Sequence, residues 1–350
     1  MIHGGDIYRN NVEHDFSVNI NFVDVPKEIN EAIINSIPKI KEYPDIECQK
    51  LRKNLSIQYG CDYRRILCGN GASDIFMAIA HGIKPNKALL LAPSFYGYIH
   101  CLDAVGCKID WYNLKKENNF CIDANFVNKL KKSDCDLLFL TNPNNPTGQT
   151  IDLDVLDEII GVCQKANKIL VIDECFSYFL TNEDEYCDFI NSHNYEGLIR
   201  VRAYTKIFAI PGIRLGYGIF YSDKIVELVK RNLSEWNVST FAQEVGNEAC
   251  KQKEYIVKTR KLIETNKNYL IQGLLIVKNK SSKLSDLEIV PSEANFILIY
   301  TKFDLYKFLL EKNILIRDCS NFKGLKKGYY RIAVKSKEEI DILLSALMLA

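Results

Sequence analysis

The feature that most constrains the fold is an alternation, between about residues 65 and 220, of short apolar runs with segments of helical spacing. Runs that are apolar on both faces are typical of strands in a largely parallel sheet covered by helices on both sides. The pattern therefore predicts an α/β domain, because strands and helices that alternate along the chain build this architecture. The predicted strands are 87–93, 135–143, 167–174 and 196–204, and the predicted helices are 73–83 and 152–166, with Ser73 and Asp152 as N-caps.

The pattern changes after about residue 222, where long helical stretches run to about residue 275. Short strands are then predicted within 285–300, 313–319 and 328–334, and helices near 303–312 and from Ser336 onward. This mixture indicates a smaller α+β unit, which the chain before the first strand–helix unit is expected to join. We therefore predict an N-terminal arm at 1–40, a large domain at 41–240 and a small domain at 241–350.

Charge and hydropathy exclude several kinds of partner. The 350 residues carry a formal net charge of +1, so no strong field attracts nucleic acid or an anionic membrane surface. No apolar run approaches the roughly 20 residues that span a bilayer, and the N-terminus lacks the apolar segment of a secretory signal. We expect a cytoplasmic protein that binds neither nucleic acid nor membrane.

The chain has 12 cysteines, which lie singly and form no C-x-x-C pair. Structural zinc sites need closely spaced pairs of ligands, so no metal site is predicted. We expect the thiols to be reduced and mostly buried, where cysteine packs as a small apolar side chain.

Candidate functional residues follow the predicted strands, at the edge of the sheet where ligands bind in doubly wound folds. The stretch GNGASD (69–74) leads into a helix, and a helix N-terminus offers free N–H groups to a phosphate. This stretch lacks the third glycine of a dinucleotide-binding fingerprint. Asn145 lies in the loop TNPNNPTG (141–148), and Asp173 lies in VIDE (171–174). These three elements are expected to meet at one site.

Two cations, Lys206 and Arg214, lie in the apolar segment AYTKIFAIPGIRLGYGIF (203–220). A buried charge needs a partner, and we expect each of the two side chains to be buried beside a group that serves as its partner. A lysine, a carboxylate, an amide and a phosphate cradle together match the demands of one cofactor, pyridoxal 5'-phosphate. Its aldehyde forms a Schiff base with lysine, its ring nitrogen needs a carboxylate, and its phosphate needs an anion site.

In the order and spacing of NPNNPTG, DE and TKIFAIPGIRLGYG, the sequence resembles the fold-type I pyridoxal-phosphate enzymes of the aminotransferase class I and II superfamily. The resemblance covers nearly the whole chain and implies an α/β fold with a mostly parallel large domain and a smaller α+β domain. It implies that Lys206 forms the Schiff base, that Asp173 pairs with the ring nitrogen, and that Asn145 hydrogen-bonds the phenolic oxygen. The other implied contacts are the phosphate ligands Gly71, Ala72, Ser73, Thr205 and Arg214, the ring-stacking Phe95, and Tyr43, which reaches the partner subunit's cofactor in a homodimer with shared sites.

Two positions depart from the family pattern. Phe176 stands where many relatives have a tyrosine that hydrogen-bonds the phenolic oxygen, and Ala203 stands where many have a phosphate-binding serine. Neither departure removes the implied core of the site, so both indicate a specialised subgroup.

The sequence resembles two subgroups of the superfamily, the histidinol-phosphate aminotransferases and the threonine-phosphate decarboxylases of cobamide synthesis. HGGDIY at 3–8, DFSVNIN at 15–21 and IRDCSNFKGLKKGYYRIAV at 316–334 resemble the decarboxylases more, although Phe22 replaces the proline that usually follows NIN. The substrate contacts that this resemblance implies are His3, Asn21, Arg317 and Arg331.

We therefore predict the decarboxylation of a phosphorylated α-amino acid with pyridoxal phosphate as cofactor. An arginine that holds the substrate carboxylate in the plane of the cofactor ring favours transamination. A phosphate anchored in its place leaves the carboxylate perpendicular to the ring, where its bond to the α-carbon is weakened. The alternatives are an aminotransferase of the histidinol-phosphate type and a non-catalytic protein that binds pyridoxal phosphate.

Overall fold

The structure is a computed structural model that describes residues 4–350. Its strands are β1 (His14–Asp15), β2 (Ile66–Gly69), β3 (Lys87–Ala92), β4 (Lys108–Asn113), β5 (Leu137–Thr141), β6 (Ile169–Asp173), β7 (Leu198–Ala203), β8 (Gly216–Phe220), β9 (Glu288–Val290), β10 (Phe296–Tyr300), β11 (Ile314–Leu315), β12 (Arg317–Asp318) and β13 (Tyr329–Ala333). Its α-helices are α1 (Lys27–Ser36), α2 (Gln49–Tyr59), α3 (Ala72–Ile83), α4 (Tyr96–Asp103), α5 (Ala124–Lys132), α6 (Leu153–Lys165), α7 (Glu183–Asn191), α8 (Asp223–Lys230), α9 (Thr240–Ala249), α10 (Lys253–Lys280), α11 (Leu305–Leu310) and α12 (Lys337–Leu347).

The larger sheet has seven strands in the order β2–β8–β7–β6–β5–β3–β4. Strands β4, β3, β5, β6 and β7 pair in parallel, whereas β8 runs antiparallel to both of its neighbours. Alternate residues of β3 enter different apolar clusters, with Leu89 and Leu91 in one and Ala88 and Leu90 in the other. A strand that is buried on both faces reads as a continuous apolar run, so the structure confirms the predicted mostly parallel α/β sheet.

The smaller sheet has four antiparallel strands in the order β12–β13–β10–β9. Its apolar side chains pack with those of α10 and α12 in one cluster, which includes Leu274, Ile332 and Leu343. Near the N-terminus, β1 pairs in parallel with β11, where His14 lies opposite Ile314. The attachment of an N-terminal arm at 1–40 to the smaller unit remains a prediction. The boundaries at residues 41 and 241 remain predictions.

The helix starts show where the sequence prediction was right and where it was wrong. Asp152 caps α6, because its carboxylate accepts hydrogen bonds from the N–H groups of residues 154 and 155. Ser73 is not the cap of α3. The helix begins two residues earlier than a cap at Ser73 would place it, and Gly71 holds the capping position with a φ of 84°, a conformation that suits glycine. Ser73 therefore lies in the first turn of the helix, where its side chain is exposed.

Other expected features concern cysteines, membranes and metals. All 12 cysteines are unpaired in the structure, and seven of them are buried. In the described part of the chain, no helix is both long and apolar enough to cross a bilayer. Within residues 4–350, no three His, Cys, Asp or Glu side chains are grouped in a way that could hold a metal ion.

Candidate active site

A cavity of about 220 Å³ lies where the carboxyl ends of β5, β6 and β7 approach the loop after β2. Asp173 ends β6, while Lys206 and Asn145 lie in the loops that follow β7 and β5. Parallel strands end at the same edge of a sheet, which brings these side chains together. The lining includes the predicted residues Gly71, Ala72, Ser73, Phe95, Asn145, Asp173, Thr205, Lys206, Arg214, Arg317 and Arg331, together with the two departures from the family pattern, Phe176 and Ala203.

One end of the cavity is a cradle for an anion. The helix α3 starts there at Ala72, and the N–H groups of a first helical turn have no partner within the helix. The guanidinium of Arg214 lies so close to Gly71 that a Cβ at that position would collide with its Nη2 atom. A helix N-terminus beside a guanidinium is a chemically suitable site for a phosphate.

The expected burial of Arg214 is wrong. Its side chain is exposed, and its Nη1 donates a hydrogen bond to the carbonyl of Pro211 at 3.0 Å. The reason is local, because the short turn Pro211–Ile213 that precedes it lies at the surface. Arg214 therefore lines the rim of the cavity and is not part of the core.

Lys206 faces the middle of the cavity and is partly exposed there. Burial lowers the pKa of its amine to about 8, and the nearby guanidinium groups of Arg331 and Arg214 act in the same direction. Among the described residues, its Nζ atom has no ion pair or hydrogen bond. An amine with this pKa is substantially neutral near pH 8, which is the form that attacks an aldehyde.

Asp173 also lines the cavity and is almost fully buried. The backbone N–H of Cys175 donates to its Oδ1 at 2.9 Å, and the hydroxyl of Tyr98 donates to its Oδ2 at 2.5 Å. Burial raises the pKa of this carboxyl, and no described cation forms an ion pair with it. A buried carboxylate with donors but without a cation suits a ligand that carries a positive charge at this point.

Two arginines line the side of the cavity that the smaller sheet supplies. Arg331 on β13 donates to Oδ1 of Asn145 at 2.5 Å and to the carbonyl of Ser17 at 2.9 Å, while its buried Nε has no partner among the described residues. Burial lowers the pKa of Arg331 to about 10, and the charge of Arg317 adds to this effect. Arg317 lies directly opposite Arg331 in the β12–β13 pair, and its guanidinium donates to Oδ1 of Asn321 at 2.9 Å. Both cations thus border one region of the cavity.

Two of the predicted contacts, Asn21 and Tyr43, are not brought to the cavity. The side chain of Asn21 donates to the carbonyl of Ile207 at 2.7 Å and to the hydroxyl of Tyr255 at 2.9 Å, so it holds the segment after Lys206 and does not line the cavity. Tyr43 is 81% exposed and packs against Trp236 with their ring centroids 4.8 Å apart. His3 lies outside the described residues.

Sequence reasoning missed the residues that hydrogen-bond the side chains lining the cavity. Tyr98 bonds Asp173, and Ser17 accepts a hydrogen bond from Arg331. The spacing of Tyr98, three residues after Phe95 at the start of α4, was a usable signal, because residues three apart lie on one face of a helix. Ser17 gave no such signal, since its contact is made by a backbone carbonyl.

The donor set fits pyridoxal 5'-phosphate. The cradle of α3 and Arg214 suits its phosphate, the amine of Lys206 suits its aldehyde, and the buried carboxylate of Asp173 suits its protonated ring nitrogen. The fit rests on the fact that these residues all line one cavity.

Comparisons with known proteins agree with this arrangement. Residues 13–347 match the family described as aminotransferase class I and II. The chain is 34% identical to a putative threonine-phosphate decarboxylase from Caldanaerobacter subterraneus subsp. tengcongensis, over 99% of this chain and 92% of the relative. It is also 34% identical, over 95% of its length, to the adenosylcobalamin biosynthesis bifunctional protein CobDQ of Leptospira interrogans, of which it spans only 38%. The crystal structure of the histidinol-phosphate aminotransferase from Clostridium acetobutylicum superposes with a TM-score of 0.86 at 30% identity, covering 96% of this chain and 98% of that one.

Proposed function

The chain belongs to the aminotransferase class I and II family, whose cofactor is pyridoxal 5'-phosphate, and from this premise we propose that it decarboxylates a phosphorylated α-amino acid of the threonine-phosphate type. The observation that carries the proposal is the pair of arginines, Arg317 and Arg331, opposite each other on neighbouring strands at one side of the cavity. Two guanidinium groups match the double negative charge of a phosphate better than the single charge of a carboxylate. The relatives named for cobalamin synthesis and threonine-phosphate decarboxylation support the same substrate class.

The reaction type follows from which substrate group occupies the arginines. If the phosphate is held by Arg317 and Arg331, the carboxylate is left without that anchor and can stand perpendicular to the cofactor ring. The bond that stands perpendicular is the one that breaks, because its electrons can enter the π system. When bound, the cofactor supplies the electron sink for that pair of electrons.

The residues of the chain have separate tasks in this proposal. Asp173 would hold the proton on the ring nitrogen of the bound cofactor, and Asn145 would orient the ring through its phenolic oxygen. Arg317 and Arg331 bind the phosphate and thereby set the orientation of the α-carbon. The bond from the α-carbon to the carboxylate would break, carbon dioxide would leave, and Lys206 in its protonated, ammonium form would give the α-carbon a proton in place of the lost carboxylate. The product is a phosphorylated amine.

The second candidate is an aminotransferase of the histidinol-phosphate type. It is favoured by the structure from Clostridium acetobutylicum, which is 30% identical and superposes closely. In that reaction Lys206 would move a proton from the α-carbon, and the amino group would pass to an oxo-acid. The two reactions use the same cavity and differ in the group that the arginines hold.

Product analysis distinguishes the two candidates. We expect the protein loaded with pyridoxal phosphate to convert threonine phosphate or serine phosphate into the corresponding phosphorylated amine, detected by mass spectrometry, without any oxo-acid. Unphosphorylated threonine serves as the matched control and should react much more slowly. Rapid conversion of histidinol phosphate that requires 2-oxoglutarate, with no amine formed from the phosphorylated amino acids, would favour the aminotransferase.

We also propose a homodimer with shared sites. An apolar ridge on the surface, which we call the α1–α2 ridge, supports it and consists of Ile34, Ile37, Ile40, Tyr43, Ile46 and Trp236, all exposed. Large exposed apolar patches often mark protein–protein interfaces. Tyr43 in the middle of the ridge would reach the phosphate of the partner subunit's cofactor.

The localisation remains a proposal. We propose that the protein is cytoplasmic, which is supported by the unpaired state of its 12 cysteines, because disulfides are rare in reducing compartments.

A further inference from the structure

Tyr98 is a buried residue next to the cofactor site to which the proposed reaction gives no task. Its side chain is fully buried, and its hydroxyl donates to Oδ2 of Asp173 at 2.5 Å. The other oxygen of Asp173 accepts from the backbone N–H of Cys175 at 2.9 Å. Each carboxylate oxygen therefore has at least one protein donor, and the thiol of Cys175 adds a further hydrogen bond to the carboxylate.

The direction of each hydrogen bond follows from counting protons. A phenol has a single proton, and an ionised carboxylate can only accept, so Tyr98 gives its proton to Asp173. The hydroxyl of Thr141 lies 2.7 Å from the same phenol oxygen and must therefore donate to it. The result is a directed chain from Thr141 through Tyr98 to Asp173.

The ring of Tyr98 is fixed by aromatic neighbours. It stacks on Phe139 with the centroids 4.9 Å apart, and it meets the edges or faces of Phe76 and Phe95 at 5.3 and 5.6 Å. Phe95 is the residue expected to stack on the cofactor ring. Tyr98 thus links the two side chains that are expected to contact the face and the nitrogen of that ring.

We infer that Tyr98 is a positioning residue that holds Asp173 in its ionised form and in the orientation that pairs with the ring nitrogen of pyridoxal phosphate. A hydrogen bond donated to a carboxylate favours its charged state. Without that bond, Asp173 is a stronger base and draws the proton from the ring nitrogen more readily. The inference rests on the proposed role of Asp173 and is independent of whether the reaction is decarboxylation or transamination.

The chain offers a closely matched control. Tyr186 is also buried, and its hydroxyl donates at 3.0 Å to Oε1 of Glu174, the residue directly after Asp173. Tyr98→Phe and Tyr186→Phe therefore each remove one phenol-to-carboxylate bond from the core. Only the first of these bonds reaches a residue that lines the cofactor cavity.

The test compares the visible absorption of the cofactor-loaded variants as a function of pH, together with kcat and KM. The absorption change with pH reports the protonation of the nitrogen that joins Lys206 to the cofactor. For Tyr98→Phe we expect the midpoint of this change to rise by about one pH unit. A cofactor ring that has lost the proton on its own nitrogen withdraws less electron density, so the nitrogen of Lys206 becomes more basic. We expect kcat to fall about tenfold with KM nearly unchanged, since the lost bond involves a charged acceptor. Tyr186→Phe should match the parent in midpoint and kcat, even if its melting temperature falls.

Two further variants keep the test decisive. Asp173→Asn should change the absorption profile more strongly than Tyr98→Phe. If it does and Tyr98→Phe matches the parent, the positioning role of Tyr98 is wrong; if Asp173→Asn itself matches the parent, the proposed role of Asp173 fails instead. Should Tyr98→Phe not fold, Thr141→Val removes the donor to Tyr98 while keeping its shape. It should raise the midpoint in the same direction by a smaller amount, and an unchanged midpoint would then overturn the inference.

Discussion

At the residue scale, the central feature is an amine whose environment prepares it for chemistry. Lys206 lies in a cavity that it shares with Arg214 and Arg331, and burial with these cations lowers its pKa to about 8. Lys206 could be chosen from the sequence as the candidate functional amine, because a lysine in an apolar segment after a strand is unusual unless its charge or its amine has a partner. The residues that support its neighbours were less predictable, since the bond from Tyr98 to Asp173 and the bond from Arg331 to the carbonyl of Ser17 are contacts that the fold creates.

The first prediction concerns Lys206 and its protonation state. Lys206→Ala should lower turnover by at least about a thousandfold and remove the visible absorption band of the cofactor-loaded protein, while circular dichroism shows an unchanged fold. In the parent, the rate at which the apo-protein captures pyridoxal phosphate should rise with pH and level off above about 8, because only the neutral amine attacks the aldehyde.

The control for this experiment is Lys224→Ala, which removes an exposed lysine on α8. It should leave both the turnover and the absorption band unchanged. Steady-state turnover near the parental value in Lys206→Ala would show that another residue is the catalytic amine. A capture rate that does not depend on pH between 7 and 9 would contradict the lowered pKa.

At the element scale, the site is built where strands of the two sheets end beside each other. The buried strands of the larger sheet were predictable because they are apolar on both faces, and β3, β5, β6 and β7 lie within the predicted ranges. The start of α3 was missed by two residues, since Gly71, with its positive φ, takes the capping position that was assigned to Ser73. The short β12 strand matters more than its two residues suggest, because it sets Arg317 opposite Arg331.

The second prediction tests the β12–β13 pair. Arg317→Ala should raise KM for threonine phosphate by about tenfold to a hundredfold and change KM for unphosphorylated threonine far less, because charge-assisted bonds to the phosphate are lost. Steady-state kinetics on the two substrates measures the difference. Slow transamination in the variant would also be consistent, since the substrate carboxylate could then turn toward Arg331.

Arg64→Ala is the control for Arg317→Ala. Arg64 is an exposed arginine whose ion pair with Asp62 lies at the surface, so its removal should change neither KM. An equal effect of Arg317→Ala on the phosphorylated and the unphosphorylated substrate would mean that Arg317 does not bind the phosphate.

At the scale of the whole molecule, the α1–α2 ridge is the feature that a single chain leaves unexplained. Ile40 and Tyr43 on this ridge are 66% and 81% exposed, and Trp236 packs beside Tyr43. The sequence suggested a shared site only through the resemblance of Tyr43 to a family position. The sequence could not show that the ridge stays exposed, because apolar residues at every third position, as between Ile34 and Ile46, are equally typical of a helix face in the core, and only the fold brings Trp236 beside Tyr43.

The third prediction is that the α1–α2 ridge forms the dimer interface. Ile40→Glu should convert the dimer into a monomer in analytical ultracentrifugation, because a buried carboxylate without a partner opposes association. Its affinity for pyridoxal phosphate should fall as well, since the partner's Tyr43 no longer reaches the phosphate. Leu349→Glu, at another exposed apolar residue, should leave both properties unchanged. A parent protein that is monomeric and fully active at nanomolar concentration would contradict the shared site.

The most direct test of the central claim follows the carboxylate carbon itself. The protein loaded with pyridoxal phosphate is incubated with threonine phosphate labelled in its carboxylate, without any oxo-acid, and the labelled carbon dioxide is counted against the phosphorylated amine. The account predicts continued release over many turnovers, with one labelled carbon dioxide for each amine formed. Retention of the label in the substrate skeleton, with the amino group passing to added 2-oxoglutarate, would contradict it.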